Sequence, residues 1–291
     1  MRLLVVIPHY YNPQGGGRYG STGQEADRRV AALSRSLLGL HETLGPKQAF
    51  LYCLHEHLPG RGNGRLLQTN SFAASQLDIV VCTTGDAHLL RHLLVPTGFF
   101  RHLPVAADPM LVGFACRDVL KANLGKYDYY CYMEDDLLIN DPLFLRKLAW
   151  FNSLFGNEDV LFPHRFETSE KEPLQKLYID GPVREDFSAK WQNIEDRRRL
   201  RAETLGQEII FERWPNPHSG CFFLNAQQME KWAGAQDFAG ADCSFAGPLE
   251  SAATLGIMKN FRIYKPAFAS AGFFEVRHLH NRYLGGALKT S

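Results

Sequence analysis

Three consecutive carboxylates, Glu134, Asp135 and Asp136, stand directly after the run Tyr129-Tyr130-Cys131-Tyr132-Met133. Aromatic and apolar residues of this kind favour a strand buried on both faces. The acids should then emerge at the carboxyl edge of a sheet, where open α/β sheets bind their ligands. In extended backbone, residues two apart point to one face, which would set Glu134 beside Asp136. Two carboxylates held that close raise one another's pKa or share a cation. Mg²⁺ takes one or two carboxylates together with substrate phosphate oxygens, and Mn²⁺ suits carboxylate and water ligands. The alternative is a solvated turn ahead of a helix, because Asp141-Pro142 reads as an N-cap followed by proline at the first helical position. That accounts for Asp141. It leaves three acids at the end of a buried strand, where something must offset their repulsion.

Other residues capable of chemistry lie later in the chain. The turn Asn216-Pro217-His218-Ser219-Gly220 feeds an apolar strand, and the small Ser219 and Gly220 let a ligand approach the backbone. Gly247-Pro248-Leu249-Glu250 puts a carboxylate on the opening turn of a helix, where the dipole favours its ionised form. An ordinary helix-start acid has the same pattern. In Glu275 to Arg282, His278 and His280 share a face if the backbone is extended, and Arg277 and Arg282 can meet anionic oxygens. His55-Glu56-His57 lacks the spacing of a zinc helix and has no third ligand nearby, so it reads as strand-end histidines. Gly15 to Gly20 matches GxGxxG formally, but it lies beyond Pro13 instead of in the tight turn after the strand. A loop over a ligand or a flexible connection explains it better.

The elements that must position these residues follow from periodicity. Leu3 to Ile7 is a first strand ended by Pro8. Glu25 to Leu40 has a helical period at Ala26, Val30, Leu33, Leu37 and Leu40. Gln48 to Leu54 and Leu77 to Cys82 read as the next strands, the latter after a helical-looking segment. Asp108 to Leu124 reads as a helix carrying Arg117, and the acidic strand follows as the fourth. Strand and helix alternate, which predicts an α/β fold with a mainly parallel, doubly wound sheet. The second half is less regular. Helices are expected over Pro142 to Phe155, Trp191 to Leu205 and Ala226 to Trp232, with strands over Asp159 to Phe162 and Gln207 to Glu212. Glu167 to Glu172 reads as a polar loop. The helix over Trp191 to Leu205 would carry Arg197, Arg198, Arg199 and Arg201, a phosphate-receiving face or a solvated one.

With 291 residues and no linker or repeat, the chain is expected to form one domain with a half at 1–141 and an elaborated half at 142–291. Hydrophobic residues at 45% and charged residues at 22% are ordinary for a soluble globular protein. A formal charge of +1 gives no bulk field for nucleic acid or membrane. No apolar run reaches membrane-span length, so no transmembrane segment is expected. The amino terminus has no cleavable-signal architecture. Cys53, Cys82, Cys116, Cys131, Cys221 and Cys243 form no CxxC pair and mostly sit in apolar runs. Reduced thiols in a cytoplasmic protein are the simplest account.

Taken in order, these stretches resemble the GT-A nucleotide-sugar glycosyltransferases, whose Rossmann-like sheet carries a DxD-type acidic motif at the end of a central strand. The resemblance rests on Val5-Val6-Ile7-Pro8-His9-Tyr10, Tyr130 to Asp136, Ser219 to Leu224, the Glu250 helix and the late His-x-His. It implies that Glu134 and Asp136 hold Mn²⁺ or Mg²⁺ against the donor diphosphate, with His278 or His280 as a further ligand. It implies that Pro8, His9 and Tyr10 contact the nucleotide, and that Arg117, Asp135, Ser219 and Gly220 belong to the same nucleotide-sugar site. Glu250 would stand near the acceptor as the base of an inverting hexosyl transfer. The donor would be a UDP- or GDP-sugar and the acceptor a glycan or another hydroxyl. The chain departs from the pattern in opening its acidic motif with Glu and in having no second acid after Glu250. Two competing functions are a nucleotidyltransferase acting on a sugar phosphate and a non-catalytic, cation-dependent glycan-binding protein. The first needs a basic residue in the loop after the first strand, where Arg18 is the sole candidate.

Overall fold

A computed structural model of the chain describes residues 1–14, 25–53, 65–169, 174–280 and 283–284. Five strands form the central sheet, in the order β13 (Cys221–Asn225), β6 (Tyr129–Met133), β1 (Arg2–Pro8), β4 (Gln76–Thr83) and β5 (Arg101–Pro104). The pairs β1–β4, β1–β6 and β4–β5 are parallel, and only β13 runs antiparallel, against β6. The expected α/β architecture with a mainly parallel sheet is the observed one.

Both faces of this sheet are covered, which is why its strands read as continuous apolar runs. Leu3, Val5, Ile7, Cys131 and Met133 face one way, against α1 (Ala26–Leu44) and α3 (Phe144–Phe155). Leu4, Val6, Tyr130 and Tyr132 face the other, against α2 (Val112–Lys121), α4 (Ala226–Ala233) and α6 (Gly256–Asn260). The period of two along each strand sorts the side chains between these two cores. The first core runs on from Leu3 to Val276 and so draws on both halves of the chain.

Two smaller sheets complete the second half. One has the order β10 (Lys176–Tyr178), β9 (His164–Thr168), β15 (Glu275–His278), β7 (Leu137–Leu138). The other has the order β11 (Arg199–Thr204), β12 (Gln207–Glu212), β14 (Arg262–Pro266), β8 (Asp159–Leu161). The three-residue α5 (Pro248–Glu250) ends on Glu250 and starts a helical run that continues through a π turn at Ser251–Leu255 into α6.

Several expectations change. The strand expected over Gln48 to Leu54 is β2 (Phe50–Cys53), which among the described residues pairs with β3 (Arg65–Gln68) alone, in a separate antiparallel ribbon. The helix expected over Trp191 to Leu205 is a series of turns followed by β11. Two of its arginines bond acids of β12: Arg199 Nε donates to its ladder partner Glu212 at 2.6 Å, and Arg201 Nη1 donates diagonally to Glu208 at 2.8 Å. Cross-strand ion pairs of this kind look, in one dimension, like a charged helix face. Glu167, expected in a polar loop, lies inside β9. The Gly15 to Gly20 loop with Arg18, His55-Glu56-His57 and Arg282 lie outside the described residues. Among the described residues, no helix is long and apolar enough to cross a membrane.

Candidate active site

The acidic tripeptide leaves β6 as a turn. Glu134 N–H donates to the Gly220 carbonyl at 2.9 Å, and Leu137 N–H reaches back to the Glu134 carbonyl at 3.4 Å. The extended backbone expected from the sequence is therefore absent, and the tripeptide is a turn. All three are buried, at 7%, 7% and 9% exposure, so each needs compensation from its neighbours.

Asp135 turns towards α1. Arg29 Nη2 donates to both of its oxygens, at 2.7 and 2.6 Å, and His9 Nδ1 lies 2.6 Å from Oδ2. Leu89 N–H donates to His9 Nε2 at 3.1 Å, which fixes the ring proton on Nδ1 and makes that nitrogen the donor to Asp135. Pro8 is buried at the end of β1, and His9 is spent in locking β1 to the acidic turn. Tyr10, next in the chain, is part-buried.

Asp136 turns towards β15. Its Oδ2 lies 3.6 Å from His278 Nε2 and 3.6 Å from Arg29 Nη1, and its carbonyl accepts Leu279 N–H at 2.9 Å. Burial alone would raise its pKa, but the nearby His278 and Arg29 charges hold it well below the usual carboxylate range. On His278 burial acts downwards, yet Asp136 and Glu167 push the ring up to about 9.

Glu134 turns towards the start of β13 and has the least compensation. Burial pushes its carboxyl up to about 8; Asp136 and Glu250 add to this, while Arg165 and His278 oppose it. Its Oε1 is 3.6 Å from His218 Nε2. His218, whose Nδ1 is 2.9 Å from Thr254 Oγ1, is held well below the ordinary histidine value by burial and is neutral. Gly220 is required here twice over. Its φ is +66°, and a Cβ would sit 2.6 Å from Glu134 Oε2. Ser219 anchors the same turn by donating from Oγ to the Pro163 carbonyl at 2.6 Å.

Behind Glu134 lies a buried ion cluster. Arg165 donates to Asp180 through its N–H and Nε, each at 2.9 Å, and Lys265 Nζ donates to Asp180 Oδ2 at 2.8 Å. Lys265, only 1% exposed, also donates to the His218 carbonyl at 2.7 Å and so holds the peptide leading into Ser219. Arg29, Arg165, Asp180 and Lys265 carry no local signal in the sequence that marks them as site residues. Their positions depend on partners far along the chain.

Glu250 is part-buried beside this group, with Oε2 enclosed and unpartnered. His280 follows β15 with its ring 6.2 Å from that of His278 and its Nε2 enclosed and unpartnered. Arg117 is not brought to the acidic turn. It donates to the Phe238 and Gly240 carbonyls and lies over the Trp232 ring at 4.8 Å, which holds its guanidinium against the segment after α4.

Among the described residues, no group of three or more His, Cys, Asp or Glu side chains is gathered for a metal ion. The donor set still fits one. Glu134 Oε1, Asp136 Oδ1 and His280 Nε2 are all buried without a hydrogen-bond partner. Other enclosed side-chain atoms also lack a partner, but these three are acceptors on the acidic turn and the segment after β15. Two carboxylate oxygens and an imidazole nitrogen are donors that Mn²⁺ and, for the oxygens, Mg²⁺ accept.

The structure of GalNAc-T7 with UDP, GalNAc and Mn²⁺ is similar to this chain with a TM-score of 0.52 at 12% identity, over 95% of this chain and 43% of that one. The fold is GT-A. The chain spans less than half the length of that structure. S. aureus TarS 1-349 in complex with UDP-GlcNAc is similar at a TM-score of 0.41 and 10% identity, over 91% of this chain and 56% of its own. No protein-family model and no curated protein sequence matches the chain. On this GT-A sheet the acidic turn stands at the carboxyl end of parallel β6, beside the carboxyl end of β1, the usual ligand edge of such sheets.

Proposed function

We propose that the chain is a glycosyltransferase that moves a sugar from a UDP- or GDP-sugar to the hydroxyl of a glycan or other acceptor. Mn²⁺ or Mg²⁺ would be held by Glu134 and Asp136, with His278 or His280 as a further ligand. The observation that carries this reading is the pair of buried, unpartnered carboxylate oxygens, Glu134 Oε1 and Asp136 Oδ1, at the ligand edge of the sheet. That GalNAc-T7 was solved with UDP, GalNAc and Mn²⁺ on the same fold supports it. When bound, the cation supplies positive charge for the departing nucleoside diphosphate.

The protein's own groups do the rest. Arg29 and His9 hold Asp135, so the turn keeps its shape without the ligand. Arg165 places a fixed positive charge beside Glu134. Glu250, with an unpartnered Oε2, accepts the proton of the acceptor hydroxyl in a single displacement that inverts the anomeric centre. Pro8, His9, Tyr10, Ser219 and Gly220 would shape the nucleotide-sugar pocket, with His9 acting through its grip on Asp135. The free, buried thiols of Cys82, Cys116, Cys131 and Cys221 support a reducing, cytoplasmic setting.

Asp136→Asn tests the cation site. The variant should bind UDP or GDP equally in Mn²⁺ and in EDTA, because the neutral amide cannot replace the charged ligand. It should also melt lower than wild type, since Arg29 and His278 lose a charged partner; this cost is about 1–3 kcal/mol. Mn²⁺ enhancement equal to that of the wild type would remove Asp136 from the site.

A further inference from the structure

β9 brings to the site a carboxylate that the proposed transfer does not use. Glu167 is 0% exposed and lies two residues from Arg165, so both point to the face of β9 that meets the acidic turn. β9 pairs in parallel with β15, with Phe166 opposite Arg277, which brings Glu167 alongside His278. Its Oε1 lies 2.8 Å from His278 Nδ1, across 111 residues of sequence. Its Oε2 accepts Leu284 N–H at 2.7 Å. An ionised carboxylate can only accept, so this contact makes Nδ1 the donor. The other nitrogen, Nε2, is thereby left facing Asp136 Oδ2 at 3.6 Å.

We propose that Glu167 is a positioning residue that fixes the His278 ring with Nε2 turned to the acidic turn, ready to ligate a divalent cation together with Asp136. This rests on the metal-dependent reading given above. The backbone ladder already joins β9 to β15, through Glu275 with His164 and Val276 with Arg165. A carboxylate is thus not needed to hold the strands together. What it adds is ring orientation and greater basicity at Nε2, whose proton leaves as the cation binds, the usual contribution of an acid behind a metal-binding histidine.

The test is calorimetric titration of Mn²⁺ into protein saturated with UDP, for wild type, Glu167→Gln, His278→Ala and the double variant. Glutamine keeps the size of the side chain but offers one acceptor oxygen for two N–H donors and carries no charge. Mn²⁺ affinity should fall ~10–100-fold in Glu167→Gln, the range for losing such a supporting group. It should fall at least as far in His278→Ala, and adding Glu167→Gln to that variant should change nothing further. Wild-type Mn²⁺ affinity in Glu167→Gln or in His278→Ala would overturn the proposal. So would an equal loss from Glu167→Gln in both backgrounds, because the residue would then act through folding and not through the ring. If Glu167→Gln shows no cooperative melt, Glu167→Asp takes its place under the same criteria, since it keeps the charge but withdraws it by one methylene. A wild type that binds UDP but no Mn²⁺ would instead sink the metal-dependent reading, a different outcome from a wild type that binds Mn²⁺ and a variant that binds it equally well.

Discussion

Glu250→Gln is expected to lower kcat by a factor of about 10²–10⁴, the usual worth of a positioned general base. Donor affinity should stay at the wild-type value, because the residue is assigned to the acceptor. The physical ground is local. Glu250 closes the first turn of the helical run that starts at Gly247-Pro248. One of its oxygens is enclosed and has no partner in the protein. Glutamine keeps the shape and removes the basic oxygen, so folding should be largely preserved while proton transfer is lost. An acid with no chemical role would show near-normal turnover and only a small loss of stability. NMR of the product anomer tests the geometry separately, and a retained configuration would contradict the base assignment whatever the rate of the variant.

Asp180→Asn should be among the most destabilising single changes available near the site, costing about 3–5 kcal/mol, the range for removing one partner of a buried ion pair. Asp180 is the shared acceptor of Arg165 and Lys265, whose side chains are 12% and 1% exposed. Without it two buried cations face each other, and the Lys265 contact to the His218 carbonyl is strained by repulsion. Urea unfolding at neutral pH measures the cost. The same substitution made in a Lys265→Met background should cost less, since one stranded charge is gone. Equal costs in the two backgrounds would show that Asp180 and Lys265 do not act as a unit.

The parts of the molecule legible in the sequence are those stated by local pattern. β1 and β6 are buried on both faces and read as continuous apolar runs, and α1 shows its period through Ala26, Val30, Leu33, Leu37 and Leu40. The acidic turn is visible because three charges at the end of such a strand are costly. What cancels the cost was hidden. Arg29 sits among the charged residues on the opening turns of α1, and nothing local says that its guanidinium reaches Asp135 across 106 residues. Glu167 looked like the start of a polar loop because Thr168, Ser169 and Glu170 follow it. Its strand is announced only by the alternation of Arg165, Phe166 and Glu167. Arg117 had the right chemistry for a phosphate, but its surroundings are set by Trp232 and Phe238, which the chain supplies much later. The extended backbone foreseen at Glu134 and Asp136 is absent because Leu137 N–H closes a turn on Glu134, a hydrogen bond that residue types alone do not announce.

Calorimetric titration of UDP and GDP into the wild-type chain, in Mn²⁺ and again in EDTA, tests the central claim most directly. Two buried carboxylates that share a cation with a diphosphate predict clear binding of at least one nucleotide with Mn²⁺ and far weaker binding of it in EDTA. Equal affinity under both conditions, or no binding of either nucleotide, would contradict the account.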